Sequence, residues 1–154
     1  ANISNPKIRQ SLAKLLHPSV KSQPDMDKRI WSTIIDSMLA SDQNESAYNE
    51  SIKFTKDYPS SGDAWRLLGR SAEKVDKPFE ADKAWGVITK KAIPTQEVWW
   101  EGMISKARIR STRRLDQACN LMRKMRRSEE YLPKKLKNDY GKLTTNLDCS
   151  VESS

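Results

Sequence analysis

The segment from residue 65 to residue 94 reads WRLLGRSAEKVDKPFEADKAWGVITKKAIP and has the clearest pattern in this chain. Trp65, Leu68 and Ala72 follow the i, i+3, i+7 spacing, which places the three side chains on one face of a helix. A second run around Trp85 follows after a short polar stretch, and Pro94 ends the segment. The pattern predicts two consecutive amphipathic helices that share an apolar interface.

Two residue types repeat at nearly fixed intervals along the chain. A period of 33 to 35 residues is typical of stacked helical repeats. No single unit of this kind can bury its apolar face alone, so neighbouring units stack and share a core. Such a stack offers an extended surface for a partner rather than a cleft for catalysis. The repeating residues are Trp31, Trp65 and Trp99, at intervals of 34, and Pro24, Pro59 and Pro94, at intervals of 35.

The middle unit resembles the tetratricopeptide repeat, a helix-turn-helix of 34 residues with the pattern W-x2-L-G-x2-Y, A, F, P. Trp65, Leu68 and Gly69 match the first part of this pattern, Ala81 matches its small position, and Trp85 takes the aromatic position. The resemblance implies that Gly69 and Ala81 lie where two helices cross. It covers residues 25 to 133.

The other two units match less closely. The first runs from Trp31 to Pro59. The third begins at Trp99 but continues with Gly102 and Met103, and the apolar run of its second helix comes about three residues late. We interpret this delay as a short insertion near residues 111–114.

The fold class predicted from these patterns is all-α, a tetratricopeptide-like helical-hairpin solenoid of about three repeats with amphipathic capping helices. Thr95 and the Ser60-Ser61 pair are predicted N-caps, because acidic residues follow them in the first turn. We expect one domain, residues 1–154, made of a capping helix (1–24), three repeats (25–60, 61–95 and 96–133) and a second capping helix (134–148). The expected helices are 5–16, 25–41, 44–57, 62–76, 78–91, 96–110, 113–128 and 134–148.

The two capping helices are predicted from apolar stripes near the chain ends. An amphipathic helix at each end of a stack covers an apolar surface that would otherwise face water. The first stripe is Ile8, Leu12, Leu15 and Leu16, and the second is Leu132, Leu136, Tyr140, Leu143 and Leu147.

The resemblance implies a concave groove lined by the first helix of each repeat, where ligands are held by residues outside the consensus. Trp100 is the most informative member of the predicted groove. If Trp99 fills the packing position, its neighbour points about 100° away around the helix and is expected to be exposed. The Lys and Asn with which some family members grip chaperone tails are replaced here by Ser32 and Asp36. The predicted groove residues are Arg66, Arg70, Lys74, Trp100, Ile104 and Arg108.

The net charge of +8 is concentrated in one part of the chain. Residues 106–137 contain 12 Lys and Arg against 3 acidic residues, so this segment carries +9 and the rest of the chain −1. Such a surface is either a solvated face or a binding surface for an acidic segment, a nucleic acid or another anionic polymer. Its predicted members are Arg110, Arg113, Arg114, Arg123, Lys124, Arg126 and Arg127.

The sequence gives no support for catalysis, and we expect no enzyme activity, no cofactor and no metal. His17 is the single histidine, and the five glycines form no phosphate-binding loop. Cys119 and Cys149 are too few for a zinc site, and their oxidation state stays open.

No run of 18 apolar residues occurs, so we expect a soluble chain without a membrane span. The cytoplasm is favoured, and a processed exported protein stays open.

The function predicted from the sequence is that of a protein-protein interaction adaptor or assembly factor. It would dock a peptide or helical segment of another protein, acidic in character, in the concave groove. The alternative is nucleic-acid or anionic-polymer binding through the basic surface of residues 106–137. Association of the chain with itself is a third expectation, because a short stack has apolar ends.

Overall fold

The computed structural model describes residues 24–150. Within this range the chain is all-α and contains no strand, so the predicted all-α fold class is confirmed. The predicted capping helix 5–16 and His17 lie outside the described residues. The helices are α1 (Pro24–Ala40), α2 (Asn44–Asp57), α3 (Gly62–Lys74), α4 (Pro78–Lys91), α5 (Glu97–Arg110), α6 (Leu115–Arg126) and α7 (Lys137–Asn146).

The chain divides into two compact units, Ala1–Lys77 and Pro78–Ser154. The N-terminal unit contains α1, α2 and α3, and the C-terminal unit contains α4 to α7. The boundary falls in the turn between the two helices of the second predicted repeat. The predicted repeat boundaries themselves stay a prediction.

The helix ends lie within three residues of the predicted ends. Ser61 caps α3 as expected, because its Oγ accepts a hydrogen bond from the Ala64 N–H at 3.3 Å. Thr95 does not cap α5: the helix begins one residue later than predicted, and Gln96 takes the capping position. The last helix begins at Lys137 rather than 134, since a 3₁₀ turn precedes it.

The turns after α1 and α3 are local copies of each other. Asp42 and Asp76, 34 residues apart, both have a φ of 57°, in the left-handed region that often ends a helix. In the first turn the Gln43 N–H donates to the Met38 carbonyl at 2.8 Å, and the second turn has the equivalent bond at the same distance. Residues 111–114 form the corresponding turn between α5 and α6, and the predicted insertion there stays a prediction.

Aromatic side chains fill the core of the N-terminal unit. The Trp31 and Phe54 rings lie 5.1 Å apart, and Tyr58 meets both of them edge to face or tilted. Ile35 and Leu67 are fully buried beside them. On α3 the predicted stripe is buried only at Ala72, whereas Trp65 and Leu68 are half-buried and the buried side carries Ala64 and Leu67.

The core of the C-terminal unit lies around Trp100. Its ring meets Trp99 at 5.0 Å and Tyr140 of α7 at 5.9 Å, both nearly perpendicular. Leu143 and Leu147 are buried in the same cluster, so the predicted apolar stripe of the last helix packs against α5. That helix covers apolar surface as a capping helix is expected to do.

Gly102 allows α4 and α5 to approach closely. A Cβ at this position would lie 2.8 Å from Thr89 Cγ2, a distance that real Cβ atoms do not show. It would also lie 3.6 Å from the Trp85 ring. The glycine that departs from the repeat pattern therefore has a packing reason of its own.

A disulfide bond links Cys119 on α6 to Cys149, which follows α7. The two Cα atoms are 5.6 Å apart, and Cys119 is completely buried. This settles the pairing that the sequence left open. Because the two cysteines are 30 residues apart, the bond restricts a substantial loop of the unfolded chain.

We expect Cys149→Ser to lower the free energy of unfolding by roughly 3–4 kcal/mol, the loop-closure contribution of a bond of this span. Urea denaturation of the variant and of the oxidised parent measures the difference. As the control, a reducing agent should weaken the parent and leave the variant unchanged. Free thiols found by titration of the denatured, unreduced parent would contradict the bond.

Candidate partner-binding site

Two tryptophans form the same hydrogen bond to a preceding proline carbonyl. The Trp65 Nε1–H donates to the Pro59 oxygen at 2.8 Å, and the Trp100 Nε1–H donates to the Pro94 oxygen at 2.7 Å. Each donor follows its proline by six residues. The counterpart of Trp65 is therefore Trp100 and not Trp99, and the interval between these helices is that of the prolines, 35 residues.

The burial pattern gives the same register. At an offset of 35 the buried residues of α3 have buried counterparts in α5, except that Ser71 pairs with the half-buried Lys106. An offset of 34 pairs three of them with the half-buried Val98, Glu101 and Lys106. The buried pairs at the offset of 35 are Ala64 with Trp99, Leu67 with Gly102, Gly69 with Ile104, and Ala72 with Ala107.

This register corrects two members of the predicted groove. Trp100 was expected to be exposed, but it is 0% exposed and lies in the core against Tyr140. Ile104 is 3% exposed and belongs to the same core. An error of one residue rotates every assignment by about 100°, which is enough to exchange a groove position for a core position.

We expect Trp100→Phe to lower the free energy of unfolding by about 1–3 kcal/mol, since it removes the indole donor from the Pro94 carbonyl and leaves a gap in the core. Trp65→Phe is the matched control, because it removes the same bond where the ring is half-buried, and we expect a smaller loss. Chemical denaturation followed by circular dichroism compares the two variants. Equal losses would contradict the central place of Trp100.

The remaining groove residues are accessible and are divided between the two units. Arg66 is half-buried and lies 3.9 Å from Asp36 and 3.7 Å from Asp63, so its charge is partly compensated. Arg70 and Lys74 are exposed on α3 in the N-terminal unit. Arg108 is exposed on α5 in the C-terminal unit.

Arg110 is held by an acidic side chain and is not part of an open basic surface. Its Nε and Nη2 donate to the two carboxylate oxygens of Asp82 at 2.8 and 2.9 Å, and both side chains are half-buried. This hydrogen bonding raises the pKa of Arg110. Burial, and then the charge of Arg110, lower the pKa of the adjacent Lys106. Arg110 therefore differs from the expected open basic residue, and its predicted role in binding stays a prediction.

We expect Asp82→Asn to lower the free energy of unfolding by about 1–2 kcal/mol, because it weakens a bidentate charge-assisted pair and leaves Lys106 and Arg110 without the nearby carboxylate. Arg110→Gln and the double variant complete a thermodynamic cycle. Losses that simply add in the double variant would show that the pair contributes nothing.

The second helix of the third predicted repeat has two opposite faces. Ala118, Met122 and Met125 are buried on one side of α6. On the other side and in the preceding turn lie six exposed cations, which we call the basic face: Arg113, Arg114, Arg123, Lys124, Arg126 and Arg127.

Most of the basic face is uncompensated by acidic side chains. Arg123 donates to Asn120, and Arg126 forms a hydrogen bond with Tyr140, whose pKa is raised first by burial and then by Glu129. Between residues 24 and 150, Arg113, Arg114, Lys124 and Arg127 are in no salt bridge. The predicted members other than Arg110 are exposed, and their role in binding stays a prediction.

Other site types find no support in the part of the chain that the structure describes. Residues 24–150 contain no cluster of three His, Cys, Asp or Glu side chains suited to a metal ion. None of the helices in this range is long and apolar enough to cross a membrane.

No protein-family model matches this chain, and no curated protein matches it. The resemblance to tetratricopeptide repeats therefore rests on the residues quoted above.

Proposed function

We propose that this chain is a non-catalytic adaptor, built of tetratricopeptide-like repeats, that docks an acidic segment of another protein on the basic face. The observation that carries the proposal is the division of α6 into a buried apolar side and an exposed cationic side. The apolar side fixes the helix in the core. The backbone that carries Arg123, Lys124 and Arg126 is thus ordered before binding, so for these cations only the side chains have to be immobilised by a partner.

The charge distribution supports an acidic partner. Residues 106–137 carry +9 while the rest of the chain carries −1, so an anionic segment is drawn to one region. Complementary charge of this kind mainly raises the association rate and makes it sensitive to salt. Binding should weaken steeply between low and physiological ionic strength.

A second candidate function is the binding of single-stranded nucleic acid on the same face. The observation that favours it is Tyr131, which is 49% exposed and follows α6 by five residues. An exposed ring four residues after Arg127 offers a base a surface on which to stack, as in proteins that bind single strands. We rank this candidate second because one ring provides a single stacking position.

The disulfide supports an oxidising compartment as the place where the chain acts. Bonds of this kind persist in secreted and periplasmic proteins and are rare in the cytosol. Cys119 and Cys149 are paired in this structure. We therefore replace the expected cytoplasmic location with an exported one, and the partner would be found in the same compartment.

We expect the fourfold variant Arg113→Gln, Arg114→Gln, Lys124→Gln, Arg127→Gln to bind an acidic peptide at least about tenfold more weakly than the parent, since removed interfacial charges slow association. The matched control removes four exposed charges elsewhere: Lys56→Gln, Lys83→Gln, Lys90→Gln, Lys91→Gln. Fluorescence anisotropy with a labelled poly-glutamate peptide, at two salt concentrations, measures both.

The same variants separate the two candidate functions. If single-stranded RNA binds the parent more tightly than the peptide does, and if Tyr131→Ala weakens RNA binding by about tenfold or more, the second function replaces the first. If the basic-face variant and its control lose the same affinity, only the net charge matters and the proposed surface is wrong.

A further inference from the structure

A cavity of about 310 Å³ opens between α5 and α7 in the C-terminal unit. Ile104, Leu143 and Leu147 contribute its apolar lining, and all three are buried. Arg108 and Lys142, which also line the cavity, are exposed. The cavity therefore joins an apolar interior to a cationic mouth.

The volume and the lining limit what this cavity can hold. About 310 Å³ is at the lower end of the range of ligand pockets, which suits one side chain better than a cofactor. Asp139 lies at the same mouth, so two cations stand against one carboxylate. The cavity also belongs to the unit in which the positive charge of the chain is concentrated.

We propose that this cavity takes one apolar side chain of the docked acidic segment, and that Arg108 and Lys142 bind the carboxylates on either side of it. This inference rests on the proposed function and makes it more specific. An acidic segment with a single large apolar residue would bind, and a uniformly acidic one would bind more weakly. Specificity would come from the cavity, while the basic face would supply rapid association.

The disulfide helps to keep the cavity formed. Leu147 lies two residues before Cys149, which is bonded to Cys119 on α6. The end of α7 that lines the cavity is thus anchored near a covalent link. A site that is formed before binding loses less entropy when it is occupied.

Two peptides test the proposal on the oxidised full chain: DEEELEEED and DEEESEEED, which differ only in the central residue. Burying a leucine side chain is worth roughly tenfold to a hundredfold in affinity, and we expect this preference for the first peptide in anisotropy titrations. Asn146→Trp fills the cavity at a residue that lines it and should abolish the preference. Asn138→Trp adds the same ring on α7 outside the cavity and should retain it.

Lys142→Ala provides a second variant that leaves the cavity open. It should weaken both peptides by a similar factor, because it removes a charge at the mouth and no apolar surface. Circular dichroism checks that each variant keeps the helical content of the parent. A loss of affinity in a variant that keeps the parent's helical content is then an effect on binding and not on folding.

The failures of the two proposals can be told apart. Equal affinity of the parent for both peptides would overturn the cavity proposal and leave the basic face as the docking surface. No binding of either peptide would overturn the proposed function together with it. Saturable binding of octanoate, with no preference between the peptides, would assign the cavity to a small carboxylate and overturn the peptide occupant.

Discussion

The C-terminal unit depends on a hydrogen bond between a buried indole and a proline carbonyl. Trp100 can be fully buried because its N–H has an acceptor in Pro94 at 2.7 Å, which offsets the cost of removing that donor from water. Once the ring is fixed, Tyr140 packs on it and holds α7 against α5. The mouth and lining of the cavity between these helices follow from the same placement.

The helices could be predicted from the sequence, and the register of the third repeat could not. Apolar periodicity and the prolines locate α1 to α7 to within a few residues, because both act locally on the backbone. Trp99 and Trp100 are adjacent and equally apolar, and the two sequence repeats disagree, because the tryptophans give an offset of 34 and the prolines one of 35. The Pro94 carbonyl, six residues before Trp100, accepts the hydrogen bond of the Trp100 indole, and this bond is seen only in the folded chain.

Some features of the candidate site could likewise be predicted from the sequence, and others could not. The basic face was predicted because an apolar stripe on one side of α6 dictates which residues face water. The pairing of Arg110 with Asp82 was missed because the two residues are 28 positions apart on different helices, with no local spacing to reveal it. The cavity was missed for the same reason, since its lining comes from separate parts of the chain.

The bond between Cys119 and Cys149 also turns part of the chain into a covalent ring. The ring encloses α7 and the cationic end of α6, together with the turn between them. A protease that cut one peptide bond in this stretch would nick the ring without releasing a fragment, and the cavity wall and four of the cations would stay joined. A single cut in the region that we assign to partner binding would therefore leave the chain in one piece.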